Sequence, residues 1–315
     1  MSTTYLKTQK KESLGKRLQK DFRHNWILYA MLVPVLAYYI IFHYWPMYGV
    51  TLAFKDYKTK LGIMGSPWIG FEHFQRFFNL YNMKNLIQNT LTLSVYTLLV
   101  GFPIPIIFAL LLNYLVTPRL KKVVQMLSYA PHFISTVVIC GMLTIFCAPD
   151  TGAFNLLLGL FGQDSVNFLG KADWFKHIYV WSGVWQNMGW SAIIYISALA
   201  GVDHQMHEAA IIDGASKLQR IRYIDLPSIT PTIAMLLILR FGDLMNVGFE
   251  KVYLLQNDLN STASSIISTY VYEVGMVSRD YGYSTAVNLF NTVINVILLV
   301  TANITSKKVM NESLF

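Results

Sequence analysis

The sequence predicts an all-α membrane protein built on six transmembrane helices. Charged residues make up 13% of its 315 residues, about half the share expected in a soluble domain. Long stretches contain no Asp, Glu, Lys or Arg. Each stretch can hold the ~20 residues that a helix needs to cross hydrocarbon. Because unpaired backbone polar groups are not tolerated in lipid, these stretches are predicted to be helical.

Six apolar segments define the predicted spans. Five are free of charged residues, and the remaining one is interrupted by Arg240 and Asp243. The predicted spans cover residues 26–48, 86–115, 123–147, 177–200, 227–249 and 284–304. Residues 1–25 are predicted to be a basic N-terminal tail, residues 26–304 the membrane domain, and residues 305–315 a C-terminal tail.

The distribution of Lys and Arg predicts the orientation in the membrane. Seven of these residues lie in the segment from Lys7 to Arg23, both included. Segments 116–122 and 203–225 add three each and the C-terminal tail adds two, which gives fifteen on that side. The loops on the other side hold nine, spread over longer segments. The positive-inside rule therefore predicts cytoplasmic N and C termini. The net charge of +8 is explained by this topology and by anionic lipid headgroups, so no nucleic-acid partner is predicted.

Sequence motifs for nucleotide binding and catalysis are absent. The sequence has no G-x-x-x-x-G-K-[ST] loop, no H-E-x-x-H and no G-x-S-x-G. Its two cysteines, Cys140 and Cys147, fall in the third predicted span, where packing is the expected role. No catalytic residue and no metal site are therefore predicted.

A polar loop, residues 203–226, separates the fourth and fifth predicted spans. Asp203 can cap a first short helix that is predicted to run through Asp213. Gly214 follows, at the position where a helix commonly ends with a positive φ. The pattern predicts a rigid first element that ends in a sharp bend.

A second short helix is predicted immediately after that bend. The residues S-K-L-Q at 216–219 match the capping box that begins a helix, and Pro227 is predicted to break the chain before the fifth span. A passive amphipathic hairpin on the membrane surface and a rigid docking element both fit these two helices.

The same loop resembles the signature of permease subunits of binding-protein-dependent ABC importers. The signature reads E-A-A, three residues, Gly, nine residues, Ile, one residue and Leu-Pro. Its fixed positions in this chain are Glu208, Ala209, Ala210, Gly214, Ile224, Leu226 and Pro227. Further stretches, among them YAPHFISTVV and VGFEKVYLL, resemble the branch that imports complex oligosaccharides, including maltose-type and aldouronate-type sugar permeases.

The resemblance implies a division of tasks among several chains in a bacterial plasma membrane. Glu208 to Gly214, with Asp213 among them, would form a coupling helix that enters a groove on a cytoplasmic ATPase subunit. Two such ATPase subunits would bind ATP and Mg²⁺, so this chain would carry no cofactor. A second homologous permease, an extracellular sugar-binding protein, the oligosaccharide substrate and membrane lipid complete the implied set of partners.

Polar side chains inside the predicted spans are candidates for a substrate path, because their burial in lipid is unfavourable. On the fifth predicted helix they share an arc of about 120°, and Arg240 is placed to pair with Asp243. The fourth span offers tryptophans beside amides, which suit sugar faces and hydroxyls. The candidates are Arg240, Asp243, Asn246, Glu250, Trp185, Gln186, Asn187, Trp190, Asn288, Asn291 and Asn295. Ion pairing, helix–helix hydrogen bonds and interfacial packing are the structural alternatives, and His132 is interpreted as a packing residue with a path role as its alternative.

Other functions remain open from the residues. An ion-coupled secondary sugar transporter could use Arg240, Asp243 and Glu250, and it predicts uptake by this chain without nucleotide. The sequence has no visible inverted repeat, which disfavours that alternative. A membrane scaffold or enzyme predicts that no ATPase co-purifies.

Overall fold

The computed structural model describes residues 14–310, and the regular secondary structure in that range is helical. The described residues contain no β-strand, and their one isolated backbone bridge joins Lys55 and Trp68. The predicted all-α fold is therefore confirmed. Residues 1–13, which hold part of the predicted basic tail, and residues 311–315 lie outside the described range.

The described part of the chain divides into two compact units, the first ending at Thr51 and the second beginning at Leu52. The helical segments that begin in the first unit are α1 (Leu14–His24), α2 (Trp26–Tyr39), a π-helical turn (Ile40–Tyr44) and a 3₁₀ segment (Trp45–Phe54). Asn25 separates α1 from α2, and its side-chain amide donates to Asp21 Oδ1 at 2.7 Å. No residue of α2 or of the π-helical turn is buried, so this apolar segment exposes its side chains all round.

The second unit contains helices of very different lengths. They are α3 (Gly62–Gly65), α4 (Glu72–Phe78), α5 (Met83–Gly101), α6 (Pro103–Asn113), α7 (Pro118–Tyr129), α8 (Thr136–Phe146), α9 (Ala153–Leu160), α10 (Ala172–Ala200), α11 (His204–Ile212), α12 (Lys217–Arg220), α13 (Leu226–Gly242), α14 (Phe249–Leu255), α15 (Ser261–Ser264), α16 (Ile267–Tyr272) and α17 (Tyr281–Met310). A 3₁₀ turn (Ala130–Phe133) precedes α8, and π-helical turns precede α13 (Ile221–Asp225) and follow α16 (Glu273–Val277).

Several of these segments are long and apolar enough to cross a membrane. Within the described chain four qualify by length and composition: Trp26–Phe54, Met83–Asn113, Lys217–Gly242 and Tyr281–Lys308. A fifth is obtained if the bent pair α7 and α8 is counted as one span. Helix α10 has 29 residues but is less apolar, because polar residues such as Gln186 and Asn187 interrupt it.

The third predicted span is wrong in shape. The sequence predicts a continuous helix over 123–147, whereas the helical axis bends by 98° between Pro118–Phe133 and Thr136–Phe146. Pro131 lies in the intervening 3₁₀ turn and has no N–H to donate to the preceding turn. Ser135 then caps the new helix, because its hydroxyl accepts from the Val138 N–H.

The fifth predicted span is wrong at both ends. Pro227 does not break the chain, since it follows directly on the π-helical turn Ile221–Asp225, whose altered hydrogen-bond pattern accommodates the missing N–H. Helix α12 therefore continues through a π-helical turn into α13. At the other end α13 stops at Gly242, not at residue 249. Glu250 consequently lies on the separate helix α14, and the predicted single arc of polar residues does not exist.

Helix α10 is the central helix of the second unit. It packs against α5, α6, α7, α13 and α15. Phe175 and Ala192 are fully buried, and Val180 is 1% exposed, so α10 contributes to the hydrophobic core along much of its length. Segments packed against α10 also supply partners for its amides, since Gln186 donates to the Ile134 carbonyl and Asn187 contacts His132.

The last helix extends beyond its predicted limits. The sequence predicts a span over 284–304, and α17 runs from Tyr281 to Met310. Cys140 and Cys147 are buried free thiols, in agreement with the predicted packing role.

Candidate functional site

A cavity of about 530 Å³ lies among α5, α6, α10 and the segment 240–251. Candidates that the sequence places on two different spans meet in its lining. These are Gln186, Asn187, Trp190, Arg240, Asp243, Asn246 and Glu250. Because the bend of the third predicted span turns the chain inward, His132 lines the same cavity.

One wall of the cavity combines stacked rings with fixed amides. The His132 and Trp190 rings are stacked, with centroids 4.5 Å apart and planes 6° from parallel. His132 Nδ1 lies 2.9 Å from Asn187 Oδ1, and it donates because Asn187 Nδ2 already donates to the Gly183 carbonyl. Gln186 Nε2 donates to the Ile134 carbonyl at 3.0 Å. These contacts hold the amides and rings in defined orientations.

The cavity lining also includes charged residues at the end of α13 and in the segment that follows it. The predicted pair of Arg240 with Asp243 is not among the ion pairs of the described residues. Asp243 Oδ1 instead accepts from Asn246 Nδ2 at 2.7 Å. Since the chain leaves the helix after Gly242, the three-residue spacing no longer places the two charges side by side.

The asparagines of α17 lie behind this segment and outside the cavity lining. Asn291 is 4% exposed and donates from Nδ2 to Asn246 Oδ1 at 3.2 Å. Asn295 Oδ1 accepts from the Met245 N–H at 2.9 Å. Both side chains therefore hold the non-helical segment against α17, as interhelical hydrogen bonds do in membrane proteins.

Two further candidates also lie away from the lining. Trp185 is 46% exposed on the outside of α10, and Asn288 is exposed on α17. Neither side chain lines the cavity. Their exposure is compatible with contact to lipid or to another chain.

Lys251 lines the cavity, although it is not among the predicted candidates because it follows the predicted fifth span. Its side chain is buried with the residue 8% exposed, and Nζ donates to the Tyr179 carbonyl at 3.0 Å. No ion pair of Lys251 occurs in the part of the chain that the structure describes. Burial lowers the pKa of Lys251 to about 8. Lys251 directly follows Glu250, a predicted candidate, and this position is the feature of the sequence that could have identified it.

A second cavity of about 410 Å³ continues the first one along α10. The two share lining residues, among them Phe102, Trp190 and Arg240, and the second reaches Tyr195. The α10 residues that line the two cavities run from Tyr179 to Tyr195, a length of about 24 Å at the usual helical rise. The lining can therefore accommodate an elongated ligand.

The polar loop forms the predicted bent element, here called the elbow (residues 203–225). Asp203 Oδ1 accepts from the Gln205 N–H at 2.9 Å and caps α11, and Gly214 has φ +78°. The capping box is formed, since Ser216 N donates to Gln219 Oε1 at 2.7 Å. The predicted caps and bend are thus confirmed.

The elbow exposes both polar and apolar side chains. Helix α11 buries none of its residues, and Glu208, Ala209 and Asp213 are exposed. Ile212 is 86% exposed and Leu218 is 74% exposed. At the far end Ile224 is buried, while Leu226 and Pro227 form the first turn of α13.

Residues 82–311 match the family described as binding-protein-dependent transport system inner membrane component. The chain belongs to this family. It is therefore a multi-pass membrane subunit of a transport system and not an enzyme.

Two similar proteins match this chain over almost its whole length. Protein LplB of Bacillus subtilis (strain 168) is 44% identical over 93% of this chain and 92% of its own length. The polygalacturonan/rhamnogalacturonan transport system permease protein YteP of the same organism is 40% identical over 99% of this chain and 95% of its own length.

A solved structure shares the fold. A chain of the bacterial alginate ABC transporter, crystallised with an alginate pentasaccharide-bound periplasmic protein, is 38% identical to this chain. The match has a TM-score of 0.88 and covers 95% of this chain and 100% of that one.

Proposed function

We propose that this chain is the membrane subunit of an ATP-driven importer of oligosaccharides delivered by an extracellular binding protein. The observation that carries the proposal is the cavity, in which stacked rings, fixed amides and charged groups meet beside α10. Sugars present C–H faces that pack on aromatic rings and hydroxyls that require hydrogen-bonding partners. The Trp190 ring and the amides of Gln186 and Asn187 supply both.

We further propose that the imported sugars are acidic. Lys251 is a buried cation at the cavity wall without a carboxylate partner among the described residues, and such a charge is stabilised by an anionic ligand. Asp243 and Glu250 are exposed to solvent, which weakens their repulsion of an anion. Relatives whose names include polygalacturonan and alginate support this substrate class.

The proposed topology has six spans with cytoplasmic N and C termini. The bent pair α7 and α8 serves as the third span and α10 as the fourth. This topology puts the elbow in the cytoplasm. The excess of Lys and Arg on that side of the membrane supports the assignment.

In this proposal the elbow docks on one of two cytoplasmic ATPase subunits. The exposed Ile212 and Leu218 supply apolar contact surface, and Glu208 supplies a carboxylate beside the small Ala209 and Ala210. The sequence has no phosphate-binding loop, so ATP and Mg²⁺ would bind to those partners. A second homologous permease would enclose the open side of the cavity, and alternating access would follow from movement of the two elbows.

Reconstitution of the whole complex tests the proposal. We expect proteoliposomes that contain both permeases, the ATPase subunits and the binding protein to accumulate labelled tetragalacturonate only when ATP is present. Omission of the binding protein should abolish uptake, and a protonophore should leave it unchanged. Uptake by this chain alone, without nucleotide and sensitive to the protonophore, would establish the ion-coupled alternative and refute the proposal.

Lys251→Met is expected to raise the KM for tetragalacturonate by about tenfold, because a hydrogen bond to a charged group contributes about 1.5–3 kcal/mol. Uptake of any neutral oligosaccharide that the complex accepts should change little. Lys171→Met, an exchange at an exposed lysine, is the matched control. An equal effect of Lys251→Met on acidic and neutral sugars would contradict the assigned role.

The pKa of Lys251 predicts a pH dependence. Burial lowers that pKa to about 8, so the ammonium loses its proton as the pH rises through this value. Affinity for an acidic sugar should therefore fall between about pH 7 and pH 9 in the wild-type complex. Lys251→Arg retains its charge throughout this range and should remove the decline. A decline of the same size in Lys251→Arg would show that another group titrates.

A further inference from the structure

Asp225 is a buried carboxylate at the junction of the elbow with α13. It is 0% exposed and lies in the π-helical turn between α12 and α13. A carboxylate removed from water is stable only when charged or hydrogen-bonded partners replace the lost solvation. The identity of those partners shows which elements this side chain connects.

The partners come from two other elements of the fold. The Tyr114 hydroxyl, one residue beyond α6, donates to Asp225 Oδ2 at 2.6 Å, and the neighbouring Asn113 Nδ2 lies 3.5 Å from Oδ1. His207 Nε2, on α11, lies 3.3 Å from Oδ1. The carboxylate thus contacts both the end of a span and helix α11 of the elbow.

A cation completes the cluster. The Arg220 guanidinium lies over the Tyr114 ring, 5.4 Å from its centroid. Its Nε is buried and has no hydrogen-bond partner among the described residues. Positive charge near the ring favours the negative charge of Asp225 in this buried position.

Few contacts besides the one between His207 and Asp225 connect helix α11 to the spans. It buries none of its residues, so hydrophobic packing does not fix it to the helices beside it. The His207 side chain is an exception to this general exposure, since it is 15% exposed. A displacement of α11 would therefore reach the spans mainly through the backbone bend and through the contact of His207 with Asp225.

We infer that Asp225 is a positioning residue that transmits movement of α11 to the second and fifth spans through His207 and Tyr114. The inference rests on the proposed function, because it assigns a role in coupling ATP hydrolysis to transport. The Tyr114 hydroxyl makes a short, charge-assisted hydrogen bond to the carboxylate at 2.6 Å, and His207 contacts the same carboxylate at the longer distance of 3.3 Å. Since one carboxylate contacts His207 on α11 and Tyr114 at the end of α6, a shift of α11 would act on α13 and on the end of α6. Neither Asp225 nor His207 is a fixed position of the signature that the sequence contains.

The test measures sugar imported per ATP hydrolysed in the reconstituted complex. Tyr114→Phe removes the hydroxyl that donates to Asp225 and keeps the ring beneath Arg220, and His207→Leu removes the contact between α11 and Asp225. Tyr114→Phe is expected to lower sugar imported per ATP by about tenfold, the effect of losing one hydrogen bond to a charged group. His207→Leu should lower the same ratio severalfold, because it removes the contact that reaches α11. The double variant should be little worse than either single one, because the two act through the same carboxylate. His207→Gln retains a side-chain donor and should restore much of the ratio.

Tyr223→Phe is the matched control, since it removes a hydroxyl two positions from Asp225 on a side chain that is 68% exposed. An unchanged ratio in Tyr114→Phe and His207→Leu would overturn the inference. Uptake that falls in step with the melting temperature, with His207→Gln no better than His207→Leu, would also overturn it and indicate a purely structural role. Failure of the wild-type complex to import with ATP would instead refute the proposed function itself.

Discussion

Replacement of Glu208 by lysine is expected to stop sugar import while the chain still inserts and folds. Glu208 is exposed on α11 and has no ion pair among the residues described. Reversal of its charge therefore breaks no internal contact. At a docked interface the carboxylate would contribute about 1.5–3 kcal/mol, and a lysine would add repulsion, so uptake should fall by at least about tenfold. ATP hydrolysis should no longer respond to the sugar-loaded binding protein.

Gly214→Pro is expected to produce the same uncoupling for a different reason. Gly214 has φ +78°, whereas a proline ring holds φ near about −65°. A side chain at this position would meet no atom within 4 Å, so the effect of substitution is conformational and not steric. The bend between α11 and α12 would have to change its direction.

Matched variants separate docking from general damage. Asp164→Lys makes the same charge change at an exposed residue of a loop predicted to face outside, and it should leave import intact. Gly214→Asn should retain much of the activity, because asparagine tolerates a positive φ. Full transport by both Glu208→Lys and Gly214→Pro would refute the docking role of the elbow. Equal losses in Asp164→Lys would point to an effect of net charge.

Gly189→Ala is expected to cause a large loss of stability from a single methyl group. A Cβ at Gly189 would lie 2.3 Å from the Ser128 carbonyl oxygen and 2.5 Å from its carbonyl carbon. Both are backbone atoms of α7, so no side chain can move aside. Separation of α7 from α10 is the available response, and overpacking of this kind costs about 1–3 kcal/mol or more.

The consequence for function follows from the neighbouring contacts. Separation of the two helices would move His132, which follows α7, away from Asn187 and Trp190 on α10. We therefore expect Gly189→Ala to lower the melting temperature in detergent by several degrees and to abolish sugar uptake. A thermal unfolding curve and a transport assay on the same preparation measure both effects.

Gly141→Ala is the appropriate comparison for this exchange. Gly141 lies in α8, and a Cβ there would meet nothing within 4 Å. Because alanine favours a helix over glycine by about 1 kcal/mol, this variant should be as stable as the wild type or slightly more so. A Gly189→Ala protein as stable as Gly141→Ala would show that the two helices have room to adjust.

Local sequence patterns, each a few residues long, were sufficient to predict the long helices and the elbow. Uncharged runs indicated the long helices, because a helix satisfies its own backbone hydrogen bonds and needs no distant partner. The caps at Asp203 and Ser216 and the bend at Gly214 are equally local, since each depends on atoms no more than three or four residues away. For that reason the elbow was predictable in detail.

Contacts between distant parts of the chain decided the rest. The bend of 98° brings His132 to Asn187, and the early end of α13 at Gly242 replaces a predicted arc by an irregular cavity wall. Lys251 meets the Tyr179 carbonyl across 72 positions, and Asp225 meets Tyr114 across 111. No local pattern encodes such pairs, because they depend on how helices pack once each has formed. The sequence therefore determined which segments are helical and where the elbow turns, and the tertiary structure decided which polar groups share a cavity or a buried carboxylate.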